Sequence, residues 1–147
     1  MLYVYEFEIF KDEDVYLAFP FDLEGGTQVG TFEEAVRLAC DWLKIEMEHR
    51  EVHGLPIPKA SFRNAPQNGG VIVTLGVEAG KDTVERVTSA KAAKMLNVSK
   101  GRISQLVSAN KLESFKDCGT TYITIASIKQ RLRKHPQPGR PKQTLSI

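Results

Sequence analysis

The chain has 147 residues, 41% hydrophobic and 26% charged, with a formal net charge of +2, the composition of a globular protein of one domain or two small ones. No apolar run approaches the roughly 18 residues of a membrane-spanning helix, and the opening MLYVYEFEIF carries acids where a signal peptide needs bases, so the expected location is the cytoplasm. The two cysteines, Cys40 and Cys118, make no CxxC or zinc pattern and read as reduced, structural thiols.

Leu2 to Phe10 and Val15 to Phe19 are rich in β-branched and aromatic residues on either side of the polar turn Lys11-Asp12-Glu13-Asp14, a hairpin pattern. A third extended piece, Thr27 to Val29, follows Gly25-Gly26. Thr31 stands three places before Glu34, a capping box that starts a helix running to about Arg50. Ala35, Leu38, Ala39, Trp42 and Ile45 fall at helical spacing, and Val36, Leu43 and Met47 widen that face. Gly54 suits the helix C-cap, and the following LPIPKASFRNAPQNGG is a loop. Val71 to Leu75 is a short apolar strand that returns beside the first hairpin, which makes the first domain, residues 1–80, βββαβ. Gly76 to Arg86 reads as a linker.

Charge divides at the same place. Residues 1–80 hold 6 Lys/Arg against 14 Asp/Glu, and residues 81–147 hold 14 against 4. A polyanion is repelled by the first part and attracted by the second.

In the second domain, residues 81–135, Val87 to Leu112 reads as two short helices joined by a tight turn. Thr88 caps the first helix, Ala93 and Leu96 share one face of it, Asn97-Val98 makes the turn, and Ser99 caps the second helix. Ile103, Leu106 and Val107 then bury one stripe and leave Lys100, Gly101, Arg102, Ser104 and Gln105 outward. Lys91, Lys100 and Arg102 occupy first turns, where the helix dipole disfavours cations by roughly 0.3 to 1 kcal/mol each. Phosphate at the helix N-terminus is the candidate that would offset that cost. A solvated basic face on an ordinary helical hairpin is the alternative. Leu112 to Lys116 and Tyr122 to Ile125 flank Asp117-Cys118-Gly119-Thr120 as a wing hairpin, and Ala126 to about Lys134 is a last helix, so this domain reads ααββα. The candidate DNA contacts are Lys91, Ser99, Lys100, Gly101, Arg102, Ser104 and Gln105 in the helices, with Lys116, Thr120, Thr121 and Tyr122 in the wing. Arg140, within Pro138-Gly139-Arg140-Pro141-Lys142 of the tail 136–147, suits a narrow A·T minor groove, or is part of a merely solvated basic tail.

Other constellations are weaker. Asp12, Glu13 and Asp14, with Glu6, Glu8 and Asp22, are carboxylates of the kind that builds two-metal nuclease sites, although acids in a hairpin turn are ordinarily solvated. His49 and His53, at i and i+4 near Glu46, have a metal-ligand spacing but no third ligand, and helix C-termini favour His for dipole reasons alone. No nucleophile triad, P-loop or GxGxxG occurs, so the expectation is a protein that is not an enzyme and holds no metal or cofactor.

The first domain resembles the HicB antitoxin family. The resemblance is carried by Tyr3 to Phe10, Asp12-Glu13-Asp14, Val15 to Pro20, Leu23-Glu24-Gly25, Gly30, Thr31 to Ala35, the long helix and Gly54 to Pro58. It implies a partial RNase H-like fold without nuclease activity that masks a small basic mRNA-cleaving toxin of the HicA kind. Gly26 stands where Cys is common in that family, and the segment from Gly30 to Ala35 is one residue shorter. The second domain resembles excisionase and MerR-like winged helix-turn-helix modules through Val87-Thr88, Ala92-Ala93, Leu96 to Ser99, Ile103, Leu112 and Tyr122 to Ile125. Together these imply an α+β antitoxin that represses its own operon by binding double-stranded operator DNA, as a homodimer or higher oligomer because one small module buries little surface on DNA. An orphan regulator whose first domain only oligomerises is the other reading.

Overall fold

Alternation along the first strand decides the architecture of the N-terminal part. In the computed structural model, which describes residues 1–134, β1 (Leu2–Asp12) and β2 (Val15–Pro20) pair antiparallel from Asp12↔Val15 to Phe7↔Pro20. Tyr3, Tyr5, Phe7 and Ile9 share one face of β1 and are buried, as a period of two requires. β3 (Thr27–Val29) joins β2 and β4 (Val71–Glu78) joins β1, giving the order β3-β2-β1-β4 with every pair antiparallel.

α1 (Phe32–His53) lies on that apolar face. The Thr31 hydroxyl accepts the Glu34 N–H at 3.2 Å to start it, and Gly54, in the left-handed region at φ 64°, is the C-cap the sequence pattern suggests, with the helix itself running on from Arg50 to His53. Ala35, Ala39, Leu43 and Met47 make the buried line, and Trp42 packs edge-on to Phe7 with ring centroids 6.1 Å apart. Ile45, expected on the buried stripe, is 65% exposed. At 3.6 residues per turn it lies about 200° round the helix from Leu43, so it faces away from the sheet.

A strand reached through a helical crossover runs parallel to its neighbour. β4 instead runs antiparallel to β1, because the chain after α1 first crosses the other face of the sheet. β4 also reaches Glu78, and Lys81–Thr83 forms a 3-10 turn, so most of the expected linker from Gly76 to Arg86 is ordered structure. Pairing of Val77 with Tyr3 and Gly76 with Val4 overrides the weak strand propensity of the glycine.

The chain divides into two compact units, Met1–Thr83 and one that begins at Val84. The second contains β5 (Arg86–Thr88), α2 (Ser89–Leu96), α3 (Lys100–Ser108), β6 (Ser114–Asp117), β7 (Thr120–Thr124) and α4 (Ile125–Lys134). Its sheet has the order β5-β7-β6, again antiparallel. The element order is therefore βααββα rather than ααββα. β5 escapes sequence reading because three residues carry no period, and its last residue, Thr88, is also the cap of α2. Strand β7 stops one residue earlier than expected because α4 starts at Ile125, the Thr124 hydroxyl accepting the Ser127 N–H at 3.3 Å in its first turn. Ala92, Ala93, Leu96, Ile103, Leu106, Leu112, Ile123 and Ile128 form the core of this unit.

Candidate nucleic-acid interface

Local backbone chemistry fixes how α2 and α3 meet. Thr88 and Ser99 are extended N-caps whose hydroxyls accept the Lys91 and Arg102 N–H groups at 3.2 and 3.1 Å. Asn97 ends α2 at φ 56°, a left-handed conformation that Asn tolerates better than most residues, and the next N–H, of Val98, closes on the Ala93 carbonyl at 3.0 Å. The turn is consequently only three residues long, and Val98 packs against the core beneath it.

With Ile103 and Leu106 buried, α3 presents Lys100, Gly101, Arg102, Ser104 and Gln105 to solvent. Arg102 Nη1 donates to Gln105 Oε1 at 3.1 Å, which joins two of these side chains across one helical turn. A Cβ built at Gly101 would meet only Ser99 Oγ, at 3.9 Å, so this stretch of backbone is open to close approach. Lys91 is exposed in the first turn of α2. Between Val84 and Lys134 the chain has 3 acids, Glu85, Glu113 and Asp117. Asp117 is held by Arg86 at 2.5 Å. Among the described residues, Lys91, Lys100 and Arg102 have no carboxylate partner, although each sits where the helix dipole repels it.

The hairpin turns on two residues, Cys118 at φ 51° and Gly119 at φ 82°, tighter than the four-residue turn expected. Thr120 and Thr121 are exposed just beyond it, and Lys116, opposite Thr121 in the register, is exposed as well. Tyr122 differs from these. It is half-buried, with the Arg86 guanidinium 4.2 Å above its ring, and the same Arg86 reaches Phe115 at 5.8 Å. Arg86, assigned to a linker in the sequence, thus clamps the three strands together. Arg140 lies outside the described residues.

The first unit has a polar site of its own, in which Glu6, Glu8 and Asp22 of the carboxylate set noted in the sequence hold a loop. Glu6 and Glu8 project from the face of β1 opposite α1, and are 7% and 3% exposed. Glu6 accepts the Arg63 and Asn64 N–H groups at 3.1 and 2.9 Å and Asn64 Nδ2 at 2.9 Å. Glu8 accepts the N–H groups of Gln67, Asn68 and Gly70 at 2.9, 2.8 and 2.9 Å and Asn68 Nδ2 at 3.2 Å. Asp22 takes the Ser61 N–H at 2.8 Å. These three carboxylates strap the loop between α1 and β4 onto the sheet. The Asn64 N–H, helped by Arg63, holds the Glu6 carboxyl below its ordinary range against the cost of burial. Burial pushes the Glu8 carboxyl up, but the donors of Gln67, Gly70 and Asn68 together outweigh it and bring it below the ordinary range. Asp12, Glu13 and Asp14 are exposed at the hairpin turn, starting four strand residues, about 13 Å, beyond Glu8. The two groups of acids are therefore not one cluster. His49 and His53 lie side by side on exposed surface, with ring centroids 4.4 Å apart and planes tilted by 55°, while Glu46 accepts Arg50 Nε at 2.7 Å.

No protein-family model and no curated protein matches the chain. Among solved structures, a toxin-antitoxin complex from Streptococcus pneumoniae is similar over 76% of this chain and 99% of the matched one, at 16% identity and a TM-score of 0.48. Among the described residues no helix is long and apolar enough to cross a membrane.

Proposed function

We propose that the second unit is a winged helix-turn-helix that binds duplex DNA, and that the chain is an autoregulating antitoxin whose acidic first unit masks a small basic ribonuclease of the HicA kind. The observation that carries the first part is the set of three cations, Lys91, Lys100 and Arg102, placed in first helical turns without acidic partners. Helix N-termini with adjacent cations complement phosphate, and Arg102 and Gln105 supply groups that read guanine and adenine edges in a major groove. Thr120, Thr121 and Lys116 extend the same chemistry onto the hairpin, which suits contact with a neighbouring backbone.

The antitoxin part is supported by charge and by the HicB-like sequence pattern. Residues 1–83 hold 7 Lys/Arg against 15 Asp/Glu, a balance that steers a basic partner toward this unit and repels RNA. Glu6, Glu8 and Asp22 serve as loop anchors in this reading, and the chain itself carries out no catalysis. Specific DNA binding by small modules relies on symmetric half-sites, so the working form is a dimer or larger assembly.

The test is a binding titration of the full chain on the duplex upstream of its own gene and on a scrambled duplex of equal length. The reading predicts tighter binding to the upstream duplex by a factor on the order of 10³ or more. Equal affinity for both duplexes would reduce the second unit to a nonspecific cationic surface.

A further inference from the structure

The longest free strand edge among the described residues belongs to β4, with 8 residues, whereas the edge strands β3, β5 and β6 have 3, 3 and 4. Long edges are ordinarily blunted by Lys, Pro, a bulge or an inward charge. β4 has none of these. Its sequence VIVTLGVE carries a single charge, at its last residue, and its register with β1 runs unbroken from Leu2↔Glu78 to Ile9↔Val71.

Which backbone groups of β4 point outward follows from the end of the ladder. Met1 and Ala79 exchange both bonds, at 3.3 and 3.0 Å. Antiparallel pairs alternate between bonded and non-bonded, so Val77, Leu75, Val73 and Val71 bond inward to Tyr3, Tyr5, Phe7 and Ile9. The N–H and C=O groups of Ile72, Thr74, Gly76 and Glu78 therefore face away from the sheet.

We infer that β4 pairs antiparallel with β4 of a second copy, about a two-fold axis at Leu75, to make one continuous eight-stranded sheet. In this register Ile72 faces Glu78 and Thr74 faces Gly76 as bonded pairs, and every outward group between residues 72 and 78 finds its mate. Val73 of one copy lies beside Val77 of the other, and both are only half-buried in the single chain. Shifting the axis to Thr74 would set Glu78 opposite Gly70, whose N–H is already taken by Glu8 at 2.9 Å. Centring the pairing on Glu78 would bring two carboxylates face to face. The Leu75 register instead keeps them about 20 Å apart, at opposite ends of the ladder. A second copy is the fitting occupant because the strand satisfies itself, while a charged partner strand would find no charge to meet from Val71 to Val77.

This deepens the oligomeric part of the proposed function, and the β4 amides report on it whether or not DNA binds. The test is residue-resolved amide hydrogen exchange of the full chain at high and low protein concentration. The amides of Val73, Leu75 and Val77 are expected to be slow at both. Those of Ile72, Thr74, Gly76 and Glu78 are expected to slow by about 100-fold at the high concentration only. Thr74→Pro removes one outward N–H and no inward one, and should shift the sedimenting mass from dimer toward monomer while the inward amides stay slow. If that variant loses the inward protection, Thr74→Lys replaces it, with dimer dissociation raised about tenfold as the expected result. Outward amides that exchange like loop amides while the chain sediments as a dimer would overturn the inference. So would protection of those amides that arises only on adding a different protein.

Discussion

Replacing Glu8 by Gln removes one negative charge and leaves the shape of the side chain unchanged. In the native structure both carboxylate oxygens accept, Oε1 from Gln67 N at 2.9 Å and Asn68 Nδ2 at 3.2 Å, Oε2 from Asn68 N at 2.8 Å and Gly70 N at 2.9 Å. A glutamine retains one accepting oxygen and turns an NH2 toward two N–H donors, so two charge-assisted bonds become donor-donor conflicts. Each such bond contributes about 1.5 to 3 kcal/mol, and a neutral amide is easier to bury, so the expected net loss is about 3 kcal/mol at neutral pH. The dependence on pH has a definite sign. Glu8 has a carboxyl held below its ordinary value of 4.5, so its contribution is complete above that value and disappears as pH falls through the lower, folded-state one. Urea unfolding at pH 7 and in steps toward pH 3, with hydrogen exchange of residues 61–70, measures both effects. The two proteins should converge in stability as the pH falls. A variant within about 0.5 kcal/mol of the parent at pH 7, or a gap that persists unchanged in acid, would refute the anchoring role.

Three further substitutions separate folding from binding. Gly101→Ala should raise stability by up to about 1 kcal/mol, since the new Cβ meets only Ser99 Oγ at 3.9 Å, yet weaken DNA binding if the backbone approaches the duplex there; unchanged affinity would show that it does not. Arg102→Ala should lose about 1 to 3 kcal/mol on the upstream duplex and less on a scrambled one, and equal losses in the titration would make Arg102 a phosphate contact. Cys118→Asn should stabilise the hairpin by about 0.5 kcal/mol, because φ 51° followed by Gly119 at φ 82° is the turn that Asn-Gly prefers; a lower thermal midpoint would count against that turn type.

Periodicity and capping made much of this fold legible. The capping box at Thr31, the alternation of β1 and the buried stripe of Ile103 and Leu106 each follow from local rules that act over a few residues. What stayed hidden depends on contacts distant in sequence. The roles of Glu6 and Glu8 are set by a loop 57 to 62 residues away, and acids in an otherwise apolar strand gave a signal that invited a metal or solvent reading instead. A sharper one was available. Buried acids on a strand call for donors, and the loop holding Asn64, Asn68 and Gly70 is rich in them. Arg86 was misplaced because β5 is too short to show alternation, and its clamp on Tyr122 and Asp117 appears only once β5, β6 and β7 are side by side. Ile45 was misassigned because a five-residue stripe drifts around the helix, whereas the buried line runs strictly at i+4.

The central claim, that duplex DNA sits on the start of α3 and on the hairpin, is tested most directly by mapping backbone amide resonances of the full chain during titration with its upstream duplex. Shifts should concentrate at Lys91, at Ser99 to Gln105 and at Lys116 to Thr121, with Phe32 to His53 of α1 unmoved. Shifts centred on the first unit, or none at concentrations where the titration shows binding, would contradict the account.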